Sequence, residues 1–139
     1  AELVDLLRMQ RHIALSLVAE SNGQIVGHIL FSHIAIVNEQ RSIPALALAP
    51  MAVLPTHQNQ GIGSALVRAS LEHCRAQGHA IVIVVGHPEY YPRFGFSARL
   101  ASELESVYAG DSFMALELVH GALAGVTGRV VYSAPFDTF

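Results

Sequence analysis

The sequence predicts a single α/β (α+β) domain built on a mixed sheet, and three observations carry that expectation. Strand-like runs joined by a hairpin signal open the chain after a short helical pattern. A glycine-punctuated helical pattern then links two apolar runs between about residues 45 and 85, the order of a β-α-β unit. The second of these runs, Ala80–Val85, is continuously apolar and β-branched, as suits a strand covered on both faces. Hairpins first and one parallel unit afterwards make the sheet mixed, not fully parallel.

In chain order, Glu2 to Arg11 reads as a short amphipathic helix, with leucines at spacings near three and four and its acids ahead of its arginines. Ala14 to Glu20 is strand-like. Asn22-Gly23 supplies the positive φ pair of a type I′ turn, so a hairpin leads into a long strand from Ile25 to Val37. That strand is apolar on both parities and belongs inside the sheet. After a turn at Asn38–Ser42, Pro44 to Leu54 forms another strand, which Pro50 interrupts. A proline removes a ladder donor, and between apolar neighbours it marks a bulge of the kind found beside active sites. Gly61 to Gln77 is helical, with Ile62, Leu66, Ala69 and His73 on one stripe and Gly78 as the stop. His87 to Phe94 reads as a short helix, and Ser112–Val119 and Arg129–Tyr132 as two closing strands. The expected count is six or seven strands and three helices.

Composition narrows the function classes. The chain has 139 residues, 52% of them hydrophobic and 14% charged, which suits one globular domain that buries roughly two-thirds of its unfolded surface. His28, Ser32 and His33 interrupt the longest apolar run before it reaches the ~18 residues of a membrane span. No signal peptide is recognisable, and a single cysteine fits a reducing compartment, so a cytoplasmic location is expected. A formal charge of −3 gives no basic footprint for nucleic acid. Lysine is absent, so an anionic ligand would be held by backbone amides. The eight histidines form no Cys/His cluster with ligand spacing; His28 and His33 are of opposite parity on a strand, and no metal is expected. Cys74 reads as a small buried hydrophobe.

The stretch His57-Gln58-Asn59-Gln60-Gly61-Ile62-Gly63-Ser64 is the chemically distinctive one. Free amides at a strand-to-helix turn, with the positive end of the helix dipole behind them, attract a phosphate. A Walker-type loop needs a lysine that is missing, and a dinucleotide fingerprint needs a third glycine where Leu66 stands. A loop of the form Gln-x-x-Gly-x-Gly remains, as does a plain tight turn.

A second stretch, His87-Pro88-Glu89-Tyr90-Tyr91-Pro92-Arg93-Phe94-Gly95-Phe96, bears on that choice. Taken with Ala49-Pro50-Met51-Ala52-Val53-Leu54-Pro55 and Gln58-x-x-Gly61-x-Gly63, it resembles the GNAT superfamily of acetyl-CoA-dependent N-acetyltransferases. In that family a bulged strand, a Q/R-x-x-G-x-G/A loop and a later Tyr-x-x-x-Gly-Phe, here Tyr91-x-x-x-Gly95-Phe96, follow in this order. The resemblance covers essentially the whole chain. It implies a mostly antiparallel central sheet with helices on both faces, and a chain lacking the family's usual first strand and helix. It also implies transfer of acetyl from acetyl-CoA, the cosubstrate, to a primary amine by direct attack in a ternary complex. The alternative is a GNAT-like domain that binds CoA as a sensor without turnover. Amides of Gln58, Asn59, Gln60, Gly61, Ile62, Gly63 and Ser64 would hold the pyrophosphate, and backbone groups of Met51, Ala52 and Val53 the pantetheine arm. Tyr91 is the candidate general acid, with Tyr90 as the alternative should the register slip. The base is left open among His28, His33, His87, Glu89 and a water relay. The expected partners are a small-molecule or peptide amine acceptor and, as an open alternative, a second copy in a homodimer. Nucleic acid and membrane are not expected.

Overall fold

The structure, a computed structural model, describes residues 13–108 and 110–132. The helix expected at Glu2–Arg11 lies outside them. The described elements are β1 (Ile13–Ser21), β2 (Gln24–Val37), β3 (Ser42–Val53), α1 (Ile62–Ala76), β4 (Ile81–Val85), β5 (Leu104–Glu105), β6 (Phe113–Glu117) and β7 (Gly128–Val131), with 3-10 turns at Pro55–His57 and Tyr91–Phe94. They form one seven-stranded sheet in the order β5-β7-β2-β3-β4-β6, and β1 also pairs with β2. Only β3–β4 and β5–β7 are parallel; the other pairs are antiparallel.

Local chemistry accounts for the joints. Asn22 and Gly23 take φ of 51° and 78°, the positive pair a type I′ hairpin needs, and β1 folds back on β2 there. Parallel strands need a crossover, and α1 supplies it between β3 and β4. Pro50 lies inside β3. Leu48 pairs with Phe31 and Met51 with Ile29, so Ala49 and Pro50 together oppose Leu30 alone. This is the bulge expected from the proline. The β3–β4 ladder ends just before it, at Leu48–Val84.

Alternation along the strands divides the core in two. Leu46, Leu48, Val82, Val84, Met114 and Leu116 pack with Val67, Leu71 and Cys74 of α1. Ala45, Ala47, Ile81, Ile83, Phe113 and Ala115 face the other way, onto Ala101, Leu104, Leu123 and Val126. Each fully buried aliphatic side chain contributes about 1.5–3 kcal/mol, so β4, apolar on both faces, ties the two layers together.

Two expectations are corrected. Among the described residues there is one α-helix, and His87–Phe94 contains only the 3-10 turn, because Pro88 and Pro92 remove amide donors that a regular helix would use. Among the described residues the face away from α1 is closed by irregular turns around 98–104 and 119–126, while the helix expected at Glu2–Arg11 lies outside them. The buried stripe of α1 is Leu66, Val67, Ser70, Leu71 and Cys74, while Ala69 and His73 are exposed. The buried face is broader than the single row that the periodicity marks, because neighbours across space and not the helix alone decide which residues are covered.

Candidate functional site

Beyond Leu48–Val84 the two strands part, and a cleft of about 1060 Å³ opens between them. One bank is β3 from Leu48 to Val53; its β2 side is paired through Met51, Ala52 and Val53, which leaves the other backbone edge turned to the cleft. The far bank is Val85, Gly86 and His87 at the end of β4.

The loop and first turn of α1 close one end. Gln58 Nε2 donates to the Val53 carbonyl at 3.0 Å, tying the loop to the strand. Gly61 stands at the helix start with φ 83°, a left-handed conformation that glycine adopts without steric cost. No side chain caps the helix and no acid lies in its first turn. Its leading amides and positive dipole end are therefore available to an anion. Of the residues expected to hold a cofactor, Met51, Ala52, Val53, Gln58, Asn59, Gly61, Ile62, Gly63 and Ser64 all line the cleft. Gln60 is on the loop but outside this lining, with its side-chain amide 3.5 Å from the Thr56 carbonyl.

Tyr90 and Tyr91 both line the cleft and serve different structural ends. The half-buried Tyr90 places its hydroxyl 3.2 Å from Ser64 Oγ, bridging to α1. Tyr91 is 7% exposed and packs edge-on against Phe96 with centroids 5.7 Å apart. Burial pushes the Tyr91 phenol above its ordinary pKa, and the neighbouring Tyr90 adds to the shift, so it holds its proton throughout neutral pH. The ring lies on Gly86: a Cβ there would come within 2.4 Å of Tyr91 Cε2. Arg93, also lining the cleft, stacks on Tyr90 at 4.6 Å and donates from Nε to the Tyr90 carbonyl.

Of the four side chains considered for the base, only His87 lines the cleft. His28 Nε2 is 2.9 Å from Ser16 Oγ, and the His33 ring lies 6.0 Å from that of His79. Glu89 is exposed outside the lining. Sequence reasoning missed Gly86, His57 and Arg93. A glycine directly after an apolar strand was the signal for Gly86; the other two carry none. Cys74 is wholly buried, its thiol pushed up to about 11 by burial. Among the described residues no group of three His, Cys, Asp or Glu could hold a metal ion. No helix among them is long and apolar enough to cross a membrane.

A crossover unit whose parallel strands separate at a bulge, with a helix start aimed into the gap, is the architecture of an acyl-coenzyme-A-dependent transferase fold. Comparison with known proteins agrees. A family model described as an acetyltransferase (GNAT) domain matches residues 7–99. The N-acetyltransferase YhbS of Escherichia coli K12 is 34% identical over 142 residues, covering 100% of this chain and 84% of YhbS. YjhQ of the same strain is 47% identical over 83 residues, 60% of this chain and 46% of YjhQ, so the chain spans just under half of that relative. Among solved structures, E. coli YhbS in complex with CoA superposes with a TM-score of 0.89 at 33% identity, over 99% of this chain and 77% of that one. A GNAT family acetyltransferase from Brucella melitensis in complex with acetyl-CoA gives 0.80 at 36%, over 98% and 77%. The chain belongs to the GNAT superfamily of acetyl-CoA-dependent acetyltransferases.

Proposed function

We propose that this chain transfers acetyl from acetyl-CoA to a primary amine of a small molecule or peptide, by direct attack within a ternary complex. The observation that carries the reading is the cleft itself: an opened strand edge runs from an uncapped helix start to a buried tyrosine. Two of its relatives hold CoA or acetyl-CoA in their solved structures.

Amides of the Gln58–Ser64 loop take the pyrophosphate, where phosphate charge meets the helix dipole. The cleft-side backbone of Met51, Ala52 and Val53 pairs with the pantetheine arm as a strand would, because Pro50 and the bulge keep β4 from occupying that edge. One of these amides donates to the oxyanion that forms when the amine nitrogen adds to the thioester carbonyl, a contribution of about 2.7–4 kcal/mol. As the C–S bond breaks, the sulfur takes the Tyr91 proton, leaving CoA thiol and the amide.

A CoA-binding sensor without turnover is favoured by one specific observation: no carboxylate lines the cleft among the described residues. Following free thiol from acetyl-CoA with a panel of amines decides between the two. Amine-dependent release supports transfer. CoA binding by calorimetry with no release for any amine supports the sensor. ATP or NAD binding as tightly as CoA sinks both.

A further inference from the structure

The reaction leaves one proton without a destination. An attacking amine must shed a proton as the C–N bond forms, and the Tyr91 phenol is already the donor on the sulfur side. Within the cleft, Tyr90 and Tyr91 are phenols and Arg93 is a guanidinium, none of which accepts a proton at neutral pH. Imidazole does. His57 and His87 are the two imidazoles lining the cleft. They sit at opposite ends. His57 belongs to the 3-10 turn leading into the phosphate-facing loop, and its Nδ1 lies 2.9 Å from Thr56 Oγ1.

His87 stands where the chemistry is. It follows directly on Gly86, the residue on which the Tyr91 ring lies. Its carbonyl accepts the N–H groups of Tyr90 at 3.1 Å and Tyr91 at 3.3 Å, and Gly86 N–H is anchored to the Ser112 carbonyl at 3.0 Å. The backbone that positions Tyr91 thus positions His87 as well. His87 is exposed and lines the cleft, and its ring makes no hydrogen bond among the described residues. The titratable and charged groups lining the cleft around it are Tyr90, Tyr91 and Arg93 from the following turn and His57 from the far end; Glu89, on its own segment, is outside the lining.

Resting on the transferase reading above, we infer that His87 is the general base that takes the proton from the attacking amine. The amine nitrogen adds to the carbonyl carbon and gives one proton to the His87 imidazole; C–S cleavage sends the electron pair to sulfur, which takes the Tyr91 proton. The imidazolium proton then returns to the tyrosinate through solvent. Amine and acetyl-CoA become amide and CoA, and both side chains end as they began.

The test compares wild type with His87→Gln on one accepted amine across pH 5 to 8. The acceptor's own titration cancels in the ratio of kcat/KM values. That ratio should climb from near one at the acid end to about 10²–10⁴ at the alkaline end, the profile of a general base. Calorimetric CoA affinity should be kept, added imidazole should restore part of the rate of His87→Ala, and His73→Gln should behave as wild type. A ratio that stays flat with pH overturns the assignment, whether the rate falls or not. Imidazole NMR gives a readout that needs no turnover: acetyl-CoA should move the His87 signals and spare those of His73. An unmoved His87 refutes its place beside the thioester even if no amine is accepted, whereas absent turnover alone counts against the transferase reading.

Discussion

Replacing Gly86 by alanine adds one methyl group and aims it at Tyr91. The backbone at Gly86 is outside the left-handed region, so alanine meets no conformational obstacle, only a steric one. The new Cβ would lie 2.4, 2.9 and 3.4 Å from Cε2, Cδ2 and Cζ of the ring. Carbons rest about 3.5–4.0 Å apart, so the ring must retreat by about 1 Å. Behind it stand Phe96, Phe94 and Tyr90, with centroids 5.7, 6.4 and 5.1 Å away, and the ring is 7% exposed. Such overpacking costs about 1–3 kcal/mol. A reacting group displaced by that distance loses about 10²-fold in rate. Thiol release at saturating acetyl-CoA should therefore show kcat down about a hundredfold, with calorimetric CoA affinity kept, since the loop and strand edge are untouched. The Tm should fall by several degrees. A lowered Tm with full kcat would show that the Tyr91 hydroxyl takes no part in the reaction. An unchanged Tm would show that the ring does not rest on Gly86 at all.

Three further outcomes are expected. Tyr91→Phe keeps the packed ring and removes the donor, so kcat should fall about 10²–10⁴-fold in the thiol assay while CoA affinity and Tm hold; an unaltered kcat takes Tyr91 out of the role. Gln58→Ala cuts the 3.0 Å tie to the Val53 carbonyl and frees the loop, weakening CoA binding by roughly fivefold, or about 1 kcal/mol, by calorimetry; equal affinity would show that the tie does not hold the loop. The Cys74 thiol, raised from 9.0 to about 11, keeps its proton when folded at pH values where the unfolded chain has lost it. Its stabilising contribution is complete below about pH 9 and disappears as pH rises through about 11; Tyr91 and Tyr132, also raised by burial, extend the loss upward. Urea midpoints should decline over that window, with a weaker onset in Cys74→Ala, and a flat wild-type curve from 9 to 11 would contradict the burial.

Features set by a residue's own backbone preference were legible from sequence. Asn22-Gly23 allows little but a tight hairpin, and Pro50 amid apolar residues allows little but a bulge. The strand-to-helix loop and the tyrosine motif follow in an order that the structure gathers around one cleft. Features set by what lies across space were not legible. The stripe of α1 differs because its buried face, from Leu66 to Cys74, is set by what the helix packs on and not by the row Ile62, Leu66, Ala69 and His73. The cover over Ile81, Ile83 and Phe113 is made of turns without periodicity, and β5 is only Leu104–Glu105. The division of labour between Tyr90 and Tyr91 is likewise tertiary. It depends on Ser64 reaching one hydroxyl and Gly86 seating the other ring.

The early end of the β3–β4 ladder has a mechanical meaning. Only three pairs, from Leu46–Val82 to Leu48–Val84, join the panel of β5, β7, β2, β3 and β1 to the panel of β4 and β6. A ligand arm lying along Met51–Val53 would supply the rungs that β4 withholds from that edge. A ligand at a hundred times its Kd adds about 2.7 kcal/mol to stability, and here that gain would fall on the seam. The substrate would thus act as a structural beam for as long as it is bound.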